Sequence, residues 1–251
     1  RKYLLNESDS VIGKPFLWIH TKHKINARNW ESFYSRNSKK LNQPYKELCV
    51  ESIVKHCGDS FQICLIDDSS FGKILDDWTI CMDGLADPIK DRVRTLALSK
   101  ILYTYGGMLV PNSTLAVKDL KELHDGKLQE KDMFTGELVN RGDSSTYNRF
   151  SPSHTFMGCK KNSNSMKELE EYLEILISKD NTDQANFNAS INRKIYELMN
   201  KGKCAVICGK ALGTKNKKDE VLLIDNWLEE SPVDLCMCSL YCIVIPGDEI
   251  L

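Results

Sequence analysis

The sequence predicts an α/β fold, a mostly parallel β-sheet flanked by helices. Three observations lead there: the chain opens on a strand, helix, strand order; apolar strings of strand length alternate with helical stripes along the rest; and no repeat or Pro/Gly-rich linker interrupts the alternation. The first strand is Pro15-Phe-Leu-Trp-Ile-His20, a short run with aromatic and β-branched members that ends in polar residues. Pro44 opens a helix whose apolar positions Leu48, Ile53, Val54 and Cys57 form a stripe closed by Gly58. Phe61-Gln-Ile-Cys-Leu-Ile66 is the second strand and runs straight into Asp67 and Asp68. This order implies a right-handed parallel crossover. Ligands of such sheets bind beyond the carboxyl ends of the strands, so topology alone puts His20, Asp67 and Asp68 on the functional edge.

From Pro88 to Thr104 the spacing is helical, with Val93, Leu96, Ala97, Ile101 and Leu102 inward and Asp91, Arg92 and Arg94 near the start. Tyr105-Gly106-Gly107 stops that helix, and Met108-Leu-Val110 reads as a strand blocked by Pro111. Further strands are expected at Met133-Phe-Thr, Thr155-Phe-Met, Ala205-Val-Ile-Cys208 and Leu240 to Ile245, with helices near Ser165 to Ile177 and Asp183 to Met199. One domain over 1–251 is expected, with residues 1–120 as a nucleotide-binding half and 121–251 as an acceptor-side half.

Bulk composition narrows the function classes. The chain has 251 residues, 34 basic and 35 acidic, so no electrostatic case arises for nucleic acid or a membrane surface. The basic run Lys215 to Lys218 is followed at once by Asp219 and Glu220 and reads as a solvated loop. Ten cysteines raise the question of disulfides or zinc, but Cys64, Cys208 and Cys242 sit in apolar strings and paired Cys-x-x-Cys knuckles are missing. The expectation is therefore free thiols, no metal held by cysteine, and a reducing compartment such as the cytoplasm. The chain starts at Arg1, which leaves an upstream anchor or targeting segment open, and sequons at Asn6, Asn112 and Asn188 are near chance frequency.

Three places resemble the capsular-polysaccharide-synthesis proteins and their relatives in glycosyltransferase family 32, over about Phe16 to Leu120. They are the strand end Trp18-Ile19-His20; the string Cys49-Val-Glu-Ser-Ile-Val-Lys-His56 followed by Ile63-Cys-Leu-Ile-Asp67-Asp68; and Asp91-Arg-Val-Arg94, a helix, and Tyr103-Thr-Tyr-Gly-Gly107. The resemblance implies a GT-A (Rossmann-like) fold, with a mixed, mostly parallel sheet. It also implies a nucleotide-sugar donor contacted by His20, Asp67, Asp68, Asp91, Arg94, Tyr105, Gly106, Gly107, Asn112 and Ser113. Mn²⁺ or Mg²⁺ would neutralise the departing diphosphate, and a glycan or protein would accept the sugar. Asp183-Gln184 is similar to an Asp-Gln segment of several GT-A families, which makes both residues catalytic candidates.

Two departures matter. The family carries an Asp-x-Asp motif four residues past the second glycine, and the same count from Gly107 lands on Pro111-Asn112-Ser113. A hard divalent cation on a diphosphate is normally held by at least one carboxylate, so metal affinity should fall sharply. The segment from Asp91 to Tyr105 is also about one helical turn longer than the family spacing. Plain structural readings stand beside the functional ones: Asp-Asp-Ser-Ser is good turn chemistry, Asp91 and Arg94 have i, i+3 ion-pair spacing, and Asp183 is a helix cap. The sequence thus predicts a glycosyltransferase-like domain with weak or lost turnover. The alternatives are an active hexose transferase, or a structural (minor capsid) component that meets other structural proteins in the virion of a large DNA virus.

Overall fold

The computed structural model describes residues 4–5, 12–22, 44–137, 150–179, 184–230 and 232–245. The strands are β1 (Phe16–His20), β2 (Gln62–Ile66), β3 (Gly107–Pro111), β4 (Thr114–Ala116), β5 (Met133–Glu137), β6 (Pro152–Cys159), β7 (Cys204–Ile207) and β8 (Cys242–Val244). The helices are α1 (Pro44–Cys57), α2 (Phe71–Ile74), α3 (Ile89–Tyr105), α4 (Lys121–Glu130), α5 (Asn164–Ser178), α6 (Gln184–Asn200) and α7 (Ile224–Leu228). A six-stranded sheet has the order β2-β1-β3-β6-β5-β7, and β4 pairs with β8 in a small second sheet. β1 runs parallel to β2 and β3, β5 runs parallel to β7, and β6 is antiparallel to both of its neighbours. The α/β class and the mixed, mostly parallel sheet expected from the sequence are what the chain adopts.

The apolar strings are continuous because helices cover both faces of the sheet. Alternate side chains of each strand enter different cores. Trp18, Cys64, Ile66, Leu109, Met133 and Met157 pack with Leu96 and Ala97 of α3, Leu169 and Leu173 of α5, and Phe187, Ile191 and Ile195 of α6. Leu17, Ile19, Ile63, Met108, Val110, Phe134 and Phe156 pack with Ile53 and Cys57 of α1 and Leu128 of α4. Burial of this kind stabilises by about 25 cal/mol for each Å² of apolar surface removed from water.

Helix α4 was not expected, since its apolar stripe is nearly absent. Only Leu123 and Leu128 are aliphatic, and the third inward position is His124, 5% exposed, edge-on to Phe61 and Phe134. Burial lowers the affinity of that imidazole for a proton, so it packs as a neutral ring.

The two glycines after α3 serve the backbone. Gly106 (φ 72°) ends α3, its amide bonding Leu102 O at 2.8 Å, and the Trp18 indole donates to Gly106 O at 3.0 Å. At Gly107 (φ 94°) a Cβ would stand 2.1 Å from Phe16 O, so β1 and β3 approach this closely only because that atom is missing. Gly107→Ala should therefore cost at least about 2 kcal/mol, from left-handed strain together with the clash. A urea midpoint unchanged within error would show that the strands part freely here.

Candidate functional site

Five parallel strands end at one edge, which collects residues distant in sequence. Pro111 is in register with His20, and His20 with Ile66, while Glu137 faces Pro152 at the opening of the antiparallel β6. Asp67 and Asp68 follow β2 directly and start a 3-10 turn, Asp68–Ser70, that leads into α2. The first residue of α2, Phe71, stacks on the His20 ring at 5.6 Å.

The charges at this edge are joined in a chain. Arg94 grips Asp68 with two bonds, Nε to Oδ1 and Nη2 to Oδ2, both 2.7 Å, and His20 Nε2 meets the same Oδ1 at 3.0 Å. Arg94 Nη1 also donates to Asp91 Oδ1, and Lys22 Nζ reaches that oxygen at 2.8 Å. The inner members are nearly closed to water, with side chains 7% (His20), 14% (Asp68) and 8% (Arg94) exposed. Burial alone would raise the Asp68 carboxyl, but the hydrogen bonds from Arg94 and His20 outweigh it and hold the acid well below the usual carboxylate range. Asp67 is held low mainly by the Ser70 hydroxyl and then by that of Ser69, each 2.7 Å from Oδ1.

The turn after β3 lies at the same edge. Pro111 brings no ligand atom, and the Ser113 hydroxyl donates to Ile245 O at 2.6 Å while Ile245 N returns a bond to Ser113 O at 3.1 Å. Ser113, 4% exposed, thus ties the start of β4 to the end of β8, leaving the Asn112 amide as the more accessible polar group of the three. A divalent cation does not fit this set: no carboxylate stands on the turn, and Asp67, Asp68 and Asp91 already answer to protein donors. Among the described residues no group of three or more His, Cys, Asp or Glu side chains is arranged to hold a metal ion.

Tyr105, Gly106 and Gly107 lie at the amino end of β3, four residues or about 13 Å from Pro111. The structure therefore brings together His20, Asp67, Asp68, Asp91, Arg94, Asn112 and Ser113, and keeps the Tyr-Gly-Gly string apart. The Tyr105 hydroxyl donates to Ile74 O at 2.6 Å. Asp183 lies outside the described residues. Gln184 is the first residue of α6, whose Phe187 ring sits 5.2 Å from the Arg92 guanidinium at the start of α3.

Two residues at the edge, Lys22 and Glu137, were not singled out in the sequence. Lys22 follows β1 by two positions and completes the charge chain. Glu137 ends β5, where its carboxylate accepts from Gly209 N at 2.8 Å and pairs with Lys215 Nζ. Lys215 is consequently not part of a solvated loop: it is 9% exposed, and only its neighbours Lys217 and Lys218 face water. A charge run in sequence does not reveal that a carboxylate 78 residues away will bury one member. His154, near the start of β6, pairs through Nδ1 with Asn192 Oδ1 of α6 at 3.2 Å, and burial holds it neutral within the fields of Asp91 and Lys22.

No known family model matches the chain, and no curated protein matches it. Among solved structures it is similar to the apo form of the glycosyltransferase GlyE of Streptococcus pneumoniae TIGR4 (11% identity, TM-score 0.45, 78% of this chain and 46% of that one). It is similar also to a glycosyltransferase involved in the glycosylation of the major capsid of PBCV-1 (10% identity, TM-score 0.48, 94% and 100%) and to mouse xyloside xylosyltransferase 1 (9%, 0.44, 78% and 86%). The chain spans about half the length of GlyE.

The Asp68 pair should be visible in stability. Removing one partner of a buried ion pair strands the other, so Asp68→Asn should cost on the order of 3 kcal/mol near neutral pH. Because the folded-state acid is held low, its contribution is present above the ordinary carboxylate value near pH 4 and is lost as pH falls through the folded value. Urea titrations at pH 7 and pH 3 should show the variant's deficit shrinking at the lower pH; an equal deficit at both would refute the assignment.

Proposed function

We propose that residues 1–251 form one GT-A-like glycosyltransferase domain that keeps a nucleotide-sugar edge while its metal-dependent transfer is weak or lost. The reading rests on one observation. Asp67, Asp68, Asp91 and Glu137 at the carboxyl edge each accept hydrogen bonds or ion pairs from Ser, Arg, His, Lys or backbone donors, and the turn after β3 adds an amide and a committed hydroxyl. In a transferase of this class, Mn²⁺ or Mg²⁺ on the diphosphate supplies the charge that lets the leaving group depart. The donor's ribose and base would meet the β1 and β2 ends, around His20, Asp67 and Asp68, in the 1–120 half. The glycan acceptor would approach from the 121–251 half, where α6 and the Asp183-Gln184 pair begin. Tyr105, Gly106 and Gly107 would act at a distance, by holding β3 close against β1.

A second reading, an active hexose transferase, is favoured by the cations of the edge. Lys22, 40% exposed, stands beside Asp91 and the buried Arg94, and a lysine there can meet phosphate oxygens without a metal. The third, a structural component of a viral particle, shares the inactive site. All ten cysteines are free, which suits a reducing cytoplasm, and no described helix is long and apolar enough to cross a membrane.

Calorimetry with uridine and guanosine diphosphate, with and without Mn²⁺, separates these readings when run beside hydrolysis of a nucleotide-sugar panel. The expected result is nucleotide binding that Mn²⁺ strengthens little, with no turnover; tight Mn²⁺-dependent binding with turnover would overturn it. Asn112→Asp should raise Mn²⁺ affinity in the presence of the diphosphate, because it puts one open carboxylate on the turn. No gain would mean the turn does not face the phosphates. Ser113→Asp is the poorer variant, as it would press a carboxylate against Ile245 O.

A further inference from the structure

The amino edge of the sheet, opposite the edge that carries His20 and Asp68, gathers lysines from three separate stretches of the chain. Met133 at the start of β5 is in register with Cys159 at the end of β6 and with Cys204 at the start of β7. Lys131, Lys160, Lys161, Lys201 and Lys203 stand just outside those three strand ends, and all of them are exposed. Direct contacts hold the group together. Lys160 N donates to Asp132 O at 2.9 Å, and Lys131 Nζ lies 3.7 Å from where a Cβ on Gly202 would stand, between Lys201 and Lys203. Since β6, β5 and β7 are neighbours and adjacent strands are about 4.8 Å apart, these lysines share one face about 10 Å wide at the backbone.

The acids of this face leave much of that charge open. Asp132 commits its carboxylate to the start of α5, accepting from the hydroxyls of Ser163 at 2.8 Å and Ser165 at 2.6 Å and from Ser165 N at 3.2 Å. Glu168 is shared by Lys194, Lys201 and Lys203, at 2.9, 3.6 and 2.6 Å, so one carboxylate answers three ammonium groups. Glu130 pairs with Lys127, and Glu197 lies one turn before Lys201 on α6. Among the described residues Lys131, Lys160 and Lys161 have no ion pair. A chain of near-zero total charge thus carries a locally positive face, because its charges are sorted in space and not along the sequence.

We propose that this face docks the protein on an anionic lipid leaflet. Every cation in the row is a lysine, a hydrated ammonium on a flexible stem that suits the diffuse charge of lipid headgroups and lacks the planar fork with which arginine grips a single carboxylate or phosphate. The neighbouring rings offer no open platform for a nucleic-acid base, since Tyr103 lies under Lys167 Nζ at 5.2 Å and the Tyr105 hydroxyl is bound to Ile74 O. Docked in this way, the edge with His20, Asp68 and Arg94, at the opposite ends of the strands, faces solution, whether or not transfer survives there.

Co-sedimentation with vesicles of equal parts phosphatidylcholine and phosphatidylserine should show binding at about 0.1 M salt that falls away at about 1 M, where the Debye length shrinks from about 10 Å to about 3 Å. Vesicles of phosphatidylcholine alone should bind none. Each lysine near an anionic leaflet strengthens binding about fivefold, so Lys131→Gln, Lys160→Gln and Lys161→Gln together should weaken it about a hundredfold. All three side chains are exposed, so the fold tolerates the change. A charge-matched control, Lys210→Gln with Lys217→Gln and Lys218→Gln beyond the carboxyl end of β7, should keep most of the binding. Equal loss in the two variants, no preference for the anionic vesicles, or retention on duplex DNA or polyglutamate without retention on vesicles would overturn the assignment.

Discussion

The paired grip of Arg94 on Asp68 is the constraint around which the carboxyl edge of the sheet is arranged. Neither group has enough water to stand alone, since the guanidinium comes from the first turns of α3 and the carboxylate from the turn after β2, both nearly closed to solvent. A buried charge without a partner costs several kcal/mol, so the pair obliges α3 to begin at the carboxyl edge, next to the end of β1 where His20 joins the same oxygen. Much else follows. Asp91, one turn earlier on α3, meets Lys22, and the far end of the helix falls at the amino side of the sheet, where Gly106 and Gly107 turn the chain into β3. Asp68 is also taken out of use as an open ligand, because both of its oxygens already face donors.

The carboxyl edge therefore has the layout of a ligand-binding sheet edge and the electrostatics of a closed structural network. Sheets of this kind bind molecules at such edges because the strands end there and the loops diverge, whatever side chains the loops carry. Catalysis asks more of those side chains than position. At this edge Asp68 is held by Arg94 and His20, Asp91 by Arg94 and Lys22, Glu137 by Lys215 and the Gly209 amide, and Asp67 Oδ1 by two serine hydroxyls. Ser113 follows the same pattern from the other direction, its hydroxyl fastening β8 to the turn after β3. Layout and chemistry are separable properties, so a place at the carboxyl edge of a sheet does not by itself fix what its side chains do.

The glycines after α3 show how one string serves different ends. In a ligand site, glycine lets a backbone approach a phosphate. At Gly107 the same missing Cβ lets β3 approach the Phe16 carbonyl, and at Gly106 a positive φ ends a helix. Both uses require the same residue, so a sequence string cannot tell them apart. Their place at the amino end of the strand decides in favour of the backbone.

The sequence by itself determined the strands, the main helices and the membership of the edge. Apolar runs such as Phe16 to Ile19 and Ile63 to Ile66 have nowhere to go but a sheet buried on both faces, and His20, Asp67 and Asp68 mark where those runs stop. It also determined that the turn after Val110 carries no carboxylate. Only the tertiary structure decided what each polar group does there. Asp68 meets an arginine 26 residues on, Lys215 a glutamate 78 residues back, and Ser113 a carbonyl 132 residues away. The physical reason is range: apolar burial is non-directional and leaves a local periodic signature, whereas a buried charge or hydroxyl needs one partner at one distance and angle, which only the folded chain supplies.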